Sequence, residues 1–296
     1  MCRRGRSSRE DSGNSNSNDR GRVVETIIRS ERFRAHSRSL RNSALKTSWL
    51  AAGVFLLALP SFATDQVFLQ TVPLPSGGHF QLANVNGSVK VEGWDRDEVE
   101  VRAVKSAVND PRDLDRVKIE IQNQPGEVDV QTRYPDGEGV DVAVEYVIHV
   151  PKRALLNCIS TVNGSVQVHG VDGSGDLRSV NGNVEVTESS GHFNAKTTNG
   201  DLRLELRRLR NDAPMNLETV NGSVVLGLPS DARADLTLHD MNGELYSEFP
   251  VTSASSTTLP AARIFRGKIG HGAGAGVISV RTVNGGIRLL LERGGV

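Results

Sequence analysis

Apolar residues in this chain recur in a fixed frame around one dipeptide. The phrase TVNGSVQV at 161 returns as SVNGNVEV at 179 and TTNGDLRL at 197, and in looser form as NVNGSVKV at 84, TVNGSVVL at 219, DMNGELYS at 240 and TVNGGIRL at 282. Four residues before each Asn the side chain is apolar: Leu82, Ile159, Leu177, Ala195, Leu217, Leu238 and Val280. Three residues after it stands an aliphatic one: Val89, Val166, Val184, Leu202, Val224, Leu245 and Ile287. Five after come Val91, Val168, Val186, Leu204, Leu226, Ser247 and Leu289, with Lys90, Gln167, Glu185, Arg203, Val225, Tyr246 and Arg288 in between. This alternation at period two buries one face and leaves the other mostly wet, so each unit predicts two short strands about a corner.

The corners are Asn86 and Gly87, Asn163 and Gly164, Asn181 and Gly182, Asn199 and Gly200, Asn221 and Gly222, Asn242 and Gly243, and Asn284 and Gly285. Asn-Gly is a strong turn signal because both residues tolerate positive φ. From Asn163 onward the Asn residues stand 18, 18, 22, 21 and 42 apart. The last gap is twice its predecessor, so one unit is expected to have lost its signature near Arg266 to Ile269. A period near 20 marks a repeat architecture. The expected class is all-β, a β-solenoid with coils of 18 to 22 residues stacked in parallel. Near-constant coil length favours it, since stacked coils need similar circumferences. An antiparallel sandwich or meander, each Asn-Gly closing a hairpin, stays open because the inward positions match either way.

The chain divides into four stretches. Residues 1–46 are rich in Ser, Asn and Arg, a composition that predicts disorder. Residues 47–63 carry an uncharged apolar run, WLAAGVFLLALPSFA, with Lys46 before it and small residues at its end. This reads as a secretory signal peptide cut after Ala63, or as an N-terminal membrane anchor if it is retained. A leader of this length also points to a true start downstream of Met1; Met1 on the precursor, found by N-terminal sequencing, would overturn that. Residues 64–150 form a less regular β-region, and residues 151–296 carry the regular repeats, continuous with it. Thr252 to Leu259 reads as a polar loop, and Gly267 to Gly276 as a loop or distorted corner.

Charge sharpens the reading. The leader holds twelve of the 35 basic and five of the 35 acidic residues, leaving 23 and 30 for residues 64–296. An acidic exported part argues against nucleic acid as a partner. Cleavage would separate Cys2 from Cys158, which sits in LLNCIS as a buried strand residue. His79, His149, His169, His192, His239 and His271 are scattered without metal-ligand spacing. Asp172 to Asp176 reads as an acidic turn without the repeated cage that calcium needs, and Asp136 to Asp141 as a solvated loop. No P-loop, nucleophile elbow or triad motif appears, and aromatic residues, the usual sugar platforms of glycan-active enzymes, are only 4%. No cofactor or metal is expected.

The string VIHVPKRALLNCISTVNGSVQVHGVDGSGDLRSVNGNVEV, followed by TTNGDLRLEL and VNGSVVLGLPSDARADL, carries a family resemblance. It is similar to the bacterial envelope family of unknown function labelled "putative adhesins", whose repeats read threonine, any residue, Asn, Gly, any residue, aliphatic after a valine-proline step. Val150 and Pro151 match that step, the Asn-Gly pairs from Asn163 to Gly222 match the turns, and Leu228 and Pro229 match the usual exit of a repeat. The resemblance spans about Val67 to Leu291, with the gap near Arg266 and the long leader as departures. It implies a secreted β-solenoid-like domain with no known catalytic residues.

The expectation is therefore an exported, non-enzymatic protein of the periplasm, cell surface or extracellular space. An extended sheet face would bind an envelope or surface protein, or a glycan. The alternatives are a polysaccharide-active β-helix enzyme and an envelope-stress signalling or scaffold protein.

Overall fold

The computed structural model describes residues 65–135, 139–211, 213–259, 262–270 and 276–292. The expected disorder of residues 1–46 and the signal segment at 47–63 lie outside the described residues. So do Asp136 and Glu138 of the acidic loop, His271, and most of the glycine-rich stretch that ends at Gly276.

Each repeat is one coil of two strands about its Asn-Gly corner. β1 (Asp65–Pro73) leads into β2 (His79–Ala83) and β3 (Val89–Trp94), which flank Asn86. β4 (Glu98–Ala107), a 3₁₀ turn at Pro111–Asp115 and β5 (Lys118–Gln124) leave the coil path, and β6 (Glu127–Arg133) and β7 (Val142–Pro151) return to it. β8 (Leu155–Ser160) and β9 (Val166–His169) flank Asn163. β10 (Asp172–Arg178), β11 (Val184–Lys196), β12 (Leu202–Leu209), β13 (Met215–Glu218) and β14 (Val224–Leu228) carry the next three coils. β15 (Ala234–Asn242) and β16 (Leu245–Ser247) follow, then the hairpin β17 (Val251–Leu259) and β18 (Ala262–Ile269), and last β19 (Gly276–Asn284) and β20 (Ile287–Leu291).

The strands build two walls. Strands before the corners pair in the order β5, β6, β2, β8, β10, β11, β13, β19, β15, β18, β17. Strands after the corners pair as β1, β4, β7, β3, β9, β11, β12, β14, β20, β16. β11 serves both walls, turning between them at Glu188, whose φ of 53° is the positive value among described non-glycine residues. Coil-to-coil pairing is parallel throughout, as a solenoid requires. The antiparallel alternative holds only at the ends, where β4, β1 and β5 cover one end and β18 and β17 extend one wall of the other.

Between the walls the aliphatic positions stack into columns. Val89, Val166, Val184, Leu202, Val224 and Ile287 are all 0% exposed, and Phe80, Phe193 and Met215 fill the space behind them. Burying one such side chain stabilises by about 1.5–3 kcal/mol, and a coil alone has nothing to bury it against. Stability therefore resides in the interfaces between coils.

Chain order and spatial order differ at both ends. In space the coils run 127–151, 79–94, 155–169, and on to 215–228, then 276–291, and finally 234–247. The 42-residue gap is thus no coil with a lost signature. Arg266 to Ile269 belong to β18, which runs antiparallel to β15, and the hairpin carries the chain back so that β19 and β20 slot between earlier coils. Thr252 to Leu259, expected as a loop, is strand β17. The expected acidic turn at Asp172 is strand β10, where Asp176 pairs with Arg178 and Gly173 and Gly175 face inward.

At the covered end, buried Lys105 donates from Nζ to the carbonyls of Leu114 (2.7 Å) and Val117 (3.1 Å), which fastens the 3₁₀ turn to β4. Burial, then the charge of Lys118, pushes its ammonium pKa down. Tyr146, 1% exposed, shares a 2.7 Å hydrogen bond with Thr132, and burial pushes its pKa up from 10.0 to about 12. A folded pKa above the unfolded one adds stability that is complete below pH 10.0 and lost as pH rises to about 12. The loss is on the order of 3 kcal/mol at about 1.4 kcal/mol per pKa unit. Urea unfolding across this window is expected to show that decline in the parent protein and a flatter profile in Tyr146→Phe.

Candidate functional site

The Asn-Gly corners, read from the sequence as positive-φ turns, carry that conformation on glycine, with φ of 116° at Gly87, 159° at Gly182 and Gly200 and 154° at Gly285. None of the seven Asn residues has positive φ. Their side chains form a ladder: Asn163 Nδ2 donates to Asn86 Oδ1, Asn181 to Asn163, Asn199 to Asn181, Asn221 to Asn199 and Asn284 to Asn221, each at 2.8 Å, and Asn242 donates to Asn284 at 3.0 Å. Glycine is needed also because the coils stack backbone on backbone, and at Gly164, Gly222 and Gly243 for that reason without a positive φ. A Cβ at Gly164 would run into the carbonyl oxygen of Gly87, one at Gly182 into that of Gly164, one at Gly200 into that of Gly182, and so on through Gly222, Gly285 and Gly243.

A second ladder lies just inside the corner. The hydroxyls of Thr161, Ser179, Thr197, Thr219 and Thr282 donate to the carbonyls of Gly87, Gly164, Gly182, Gly200 and Gly222 at 2.8–2.9 Å. Asn84 and Asp240 occupy the same column in the remaining coils. The corners are thus a structural spine. Asn181→Ala removes two ladder bonds and Asn242→Ala one, and a net hydrogen bond contributes about 0.5–1.5 kcal/mol. Losses of about 2 and about 1 kcal/mol are expected in chemical denaturation, and equal losses would contradict the ladder's contribution.

The outward faces of the walls carry the polar chemistry. On the post-corner wall one register row runs Glu100, His149, Glu92, His169, Thr187 across β4, β7, β3, β9 and β11. His149 lies 3.0 Å from Glu92 and 3.3 Å from Glu100, and His169 Nδ1 lies 3.1 Å from the Thr187 hydroxyl. Lys90 sits 2.7 Å from Glu92, and its hydrogen bond is the main influence holding that carboxyl below the usual range. Trp94 stacks on His149 at 5.1 Å, has Arg96 over its ring at 4.7 Å, and donates from Nε1 to the Glu98 carbonyl. The neighbouring row, Lys90, Gln167, Glu185, Arg203, Val225, Arg288, Tyr246, extends to the far end of the wall. Clefts of about 220 and 350 Å³ lie along this face, the second lined by Glu185, Asp201, Arg203 and Arg288.

The pre-corner wall shows a row of Lys196, Glu218, Arg281 and His239, with Arg266 diagonal to His239 on β18. Lys196 pairs with Glu218 at 2.8 Å and Lys268 with Asp235 at 3.0 Å. Among the described residues neither Arg281 nor Arg266 has a carboxylate at ion-pair distance. Burial first, then the charges of Arg281 and Arg266, push the His239 pKa down. The remaining described histidines are dispersed: His79 on β2 bonds Asn157 on β8, and His192 lies on β11.

Sequence spacing missed the Glu100–His149–Glu92–His169 row, because its members lie on four strands separated by up to 77 residues. The signal that could have found it is parity, since each stands at an outward position. Among the described residues no group of three His, Cys, Asp or Glu is placed to hold a metal ion. Among the described residues no helix is long and apolar enough to cross a membrane.

The family model described as Toastrack DUF4097 matches residues 76–290. No curated protein matches the chain significantly. Among solved structures, a "putative cell adhesion protein" from Clostridium sporogenes is similar at 13% identity, covering 77% of this chain and 100% of that one, with a TM-score of 0.46. A "putative adhesin" from Bacteroides fragilis is similar at 12% identity over 76% and 97%, with a TM-score of 0.33. A "putative lipid binding protein" from Parabacteroides distasonis is similar at 9% identity over 76% and 96%, with a TM-score of 0.24.

Proposed function

The chain belongs to the Toastrack DUF4097 family, and on that premise we propose that it is an exported, non-enzymatic surface or envelope protein that binds a protein or glycan through its extended sheet faces. The observation that carries the reading is the register of polar side chains on those faces. On the post-corner wall one outward row runs from β4 to β11 and its neighbour from β3 to β16, polar except at Val225. Glu92 lies beside His149 and Glu185 beside Arg203 across strands, and Lys90 beside Glu92 within one, so these groups are spread along the wall rather than gathered around one cleft. Exposed ion pairs of this kind add little stability, typically 0–1 kcal/mol, so their regularity suits recognition better than folding. Many weak contacts across a rigid, flat array would give avidity to a repeating partner such as a polysaccharide or an ordered surface layer.

The enzyme alternative finds less support. Glu92, His149 and Glu100 could move a proton, but their row lies on a wall face, with Trp94 committed to His149 and Arg96 rather than free to stack on a sugar. The test is binding of the protein, expressed from the full-length gene and purified with the N-terminus its host leaves, to a glycan array, envelope fractions and whole cells. Saturable binding weakened by Arg203→Glu or Arg288→Glu on the post-corner face, with unchanged thermal stability, is the expected result. Binding to none of the three, or binding indifferent to both changes, would overturn the face reading.

A further inference from the structure

The two ends of the solenoid are finished differently. At the 127–151 end both walls continue into antiparallel strands, β4 and β1 on one and β5 on the other. At the opposite end the pre-corner wall continues into β18 and β17, but the post-corner wall stops at β16, which pairs only with β20 among the described residues. Unpaired strand edges recruit other strands, and natural proteins usually cover them.

Three observations show what is unfinished at that edge. In six coils the residue three after Asn donates its backbone N–H to the next coil: Val89 to Ser165, Val166 to Asn183, Val184 to Asp201, Leu202 to Ser223, Val224 to Gly286 and Ile287 to Glu244. Leu245, seventh in the column, has no such acceptor among the described residues, and its side chain is 40% exposed where the other six are 0%. Beside it lies a cavity of about 230 Å³ lined by Leu238, Asp240, Leu245, Phe265, Ile287 and Arg263. Asp240, 5% exposed, keeps Oδ1 without a hydrogen-bond partner there. Asn242 is the last rung of its ladder, and every rung before it accepts from the coil beyond.

We propose that the β16 edge is a strand-docking site, which takes an extended segment of a partner protein running parallel to β16 and continuing the coil pattern. Carbonyls of that segment would accept from the Leu245 N–H, an aliphatic side chain would enter the cavity over Leu245, and donor side chains such as Asn or Thr would meet Asn242 and Asp240. Main-chain bonding supplies affinity in this mode, and alternate side chains supply selectivity. The choice of an extended peptide over a small molecule rests on the register. The missing groups are spaced as one strand of this fold, and donors and an apolar side chain are wanted at the offsets that every coil already uses.

The probe is a synthetic decapeptide with the chain's own coil sequence, TVNGSVVLGL (219–228), and a control in which Val224→Ser and Leu226→Ser remove the inward side chains. The protein is that expressed from the full-length gene. Saturable binding of the first peptide, at least about tenfold weaker for the control and for Leu245→Lys protein, is expected. Val277→Lys, on the outer face of β19, should leave it unchanged, and the Leu245 amide should exchange at least about tenfold more slowly when the peptide is bound. No binding up to millimolar peptide, or binding equal for both peptides or unaffected by Leu245→Lys, would overturn the proposal. Self-association abolished by Leu245→Lys would assign the edge to a second copy and also overturn it. Leu245→Ser, milder at this exposed position, guards against misfolding of the Lys variant. The glycan and envelope binding of the sheet faces should survive both changes, so the two readings fail separately.

Discussion

Replacing Gly182 by alanine is expected to lower the melting temperature by roughly 6–12 °C. The new methyl would run into the carbonyl of Gly164 in the adjacent coil, and that obstacle is backbone held by hydrogen bonds on both sides. Overpacking costs about 1–3 kcal/mol where side chains can yield, and here they cannot, so about 3 kcal/mol is the expected loss. For a domain of this size each kcal/mol lowers Tm by about 2–4 °C. Gly126→Ala is the informative contrast. Gly126 has φ of +77° and open space around it, so only the left-handed backbone cost of about 1–2 kcal/mol applies. Gly182 itself has φ of +159°, so part of its loss is conformational, and a loss no larger than that of Gly126→Ala would mean that crowding adds nothing at this corner. Because a repeat array is stabilised interface by interface, amide exchange should accelerate most in the coils bearing Gly164 and Gly182.

Phe193→Ala should cost still more, about 3–5 kcal/mol for a fully buried aromatic. Phe193 fits because Gly175, its register partner on β10, has no side chain: a Cβ there would stand 2.6 Å from the ring. Gly175→Ala alone should therefore destabilise, whereas Gly175→Ala added to Phe193→Ala should return part of the loss by filling the vacated space. In a double-mutant cycle the two changes should couple by about 1 kcal/mol or more. Additive losses would show that the interior relaxes around the ring without needing the glycine.

Much of this architecture was readable before any coordinates. Columns at four before and three and five after the Asn residues are the buried columns in every coil except that of Asn242, where Leu245 is exposed and Ser247 half-buried, and Lys90, Gln167, Glu185 and Arg203 are the outward row. Parity determines this locally, since a strand that buries one residue must expose the next. The Asn-Gly pairs stand out in the sequence, and what selects their glycines does not. An Asn-Gly pair has the same letters whether glycine is needed for φ or because a neighbouring carbonyl lies against it, and only the neighbour distinguishes the two. The strand at Asp172–Arg178 escaped notice because Gly and Asp are poor strand formers alone. Here β10 is paired with β8 on one side and β11 on the other.

By itself the sequence determined the coil, its two strands, its inward columns and the number of corners, because each follows from short-range periodicity. The tertiary structure alone decided which coil lies on which. Every coil presents nearly the same columns and the same corner, so local pattern scarcely distinguishes one stacking partner from another. The connections break that degeneracy: β4 and β5 at one end and the β17–β18 hairpin at the other carry the chain past a neighbour and back. That detour places Asn284 between Asn221 and Asn242, completes the ladder out of chain order, and leaves Leu245 at an open edge that no reading of its own repeat could have shown.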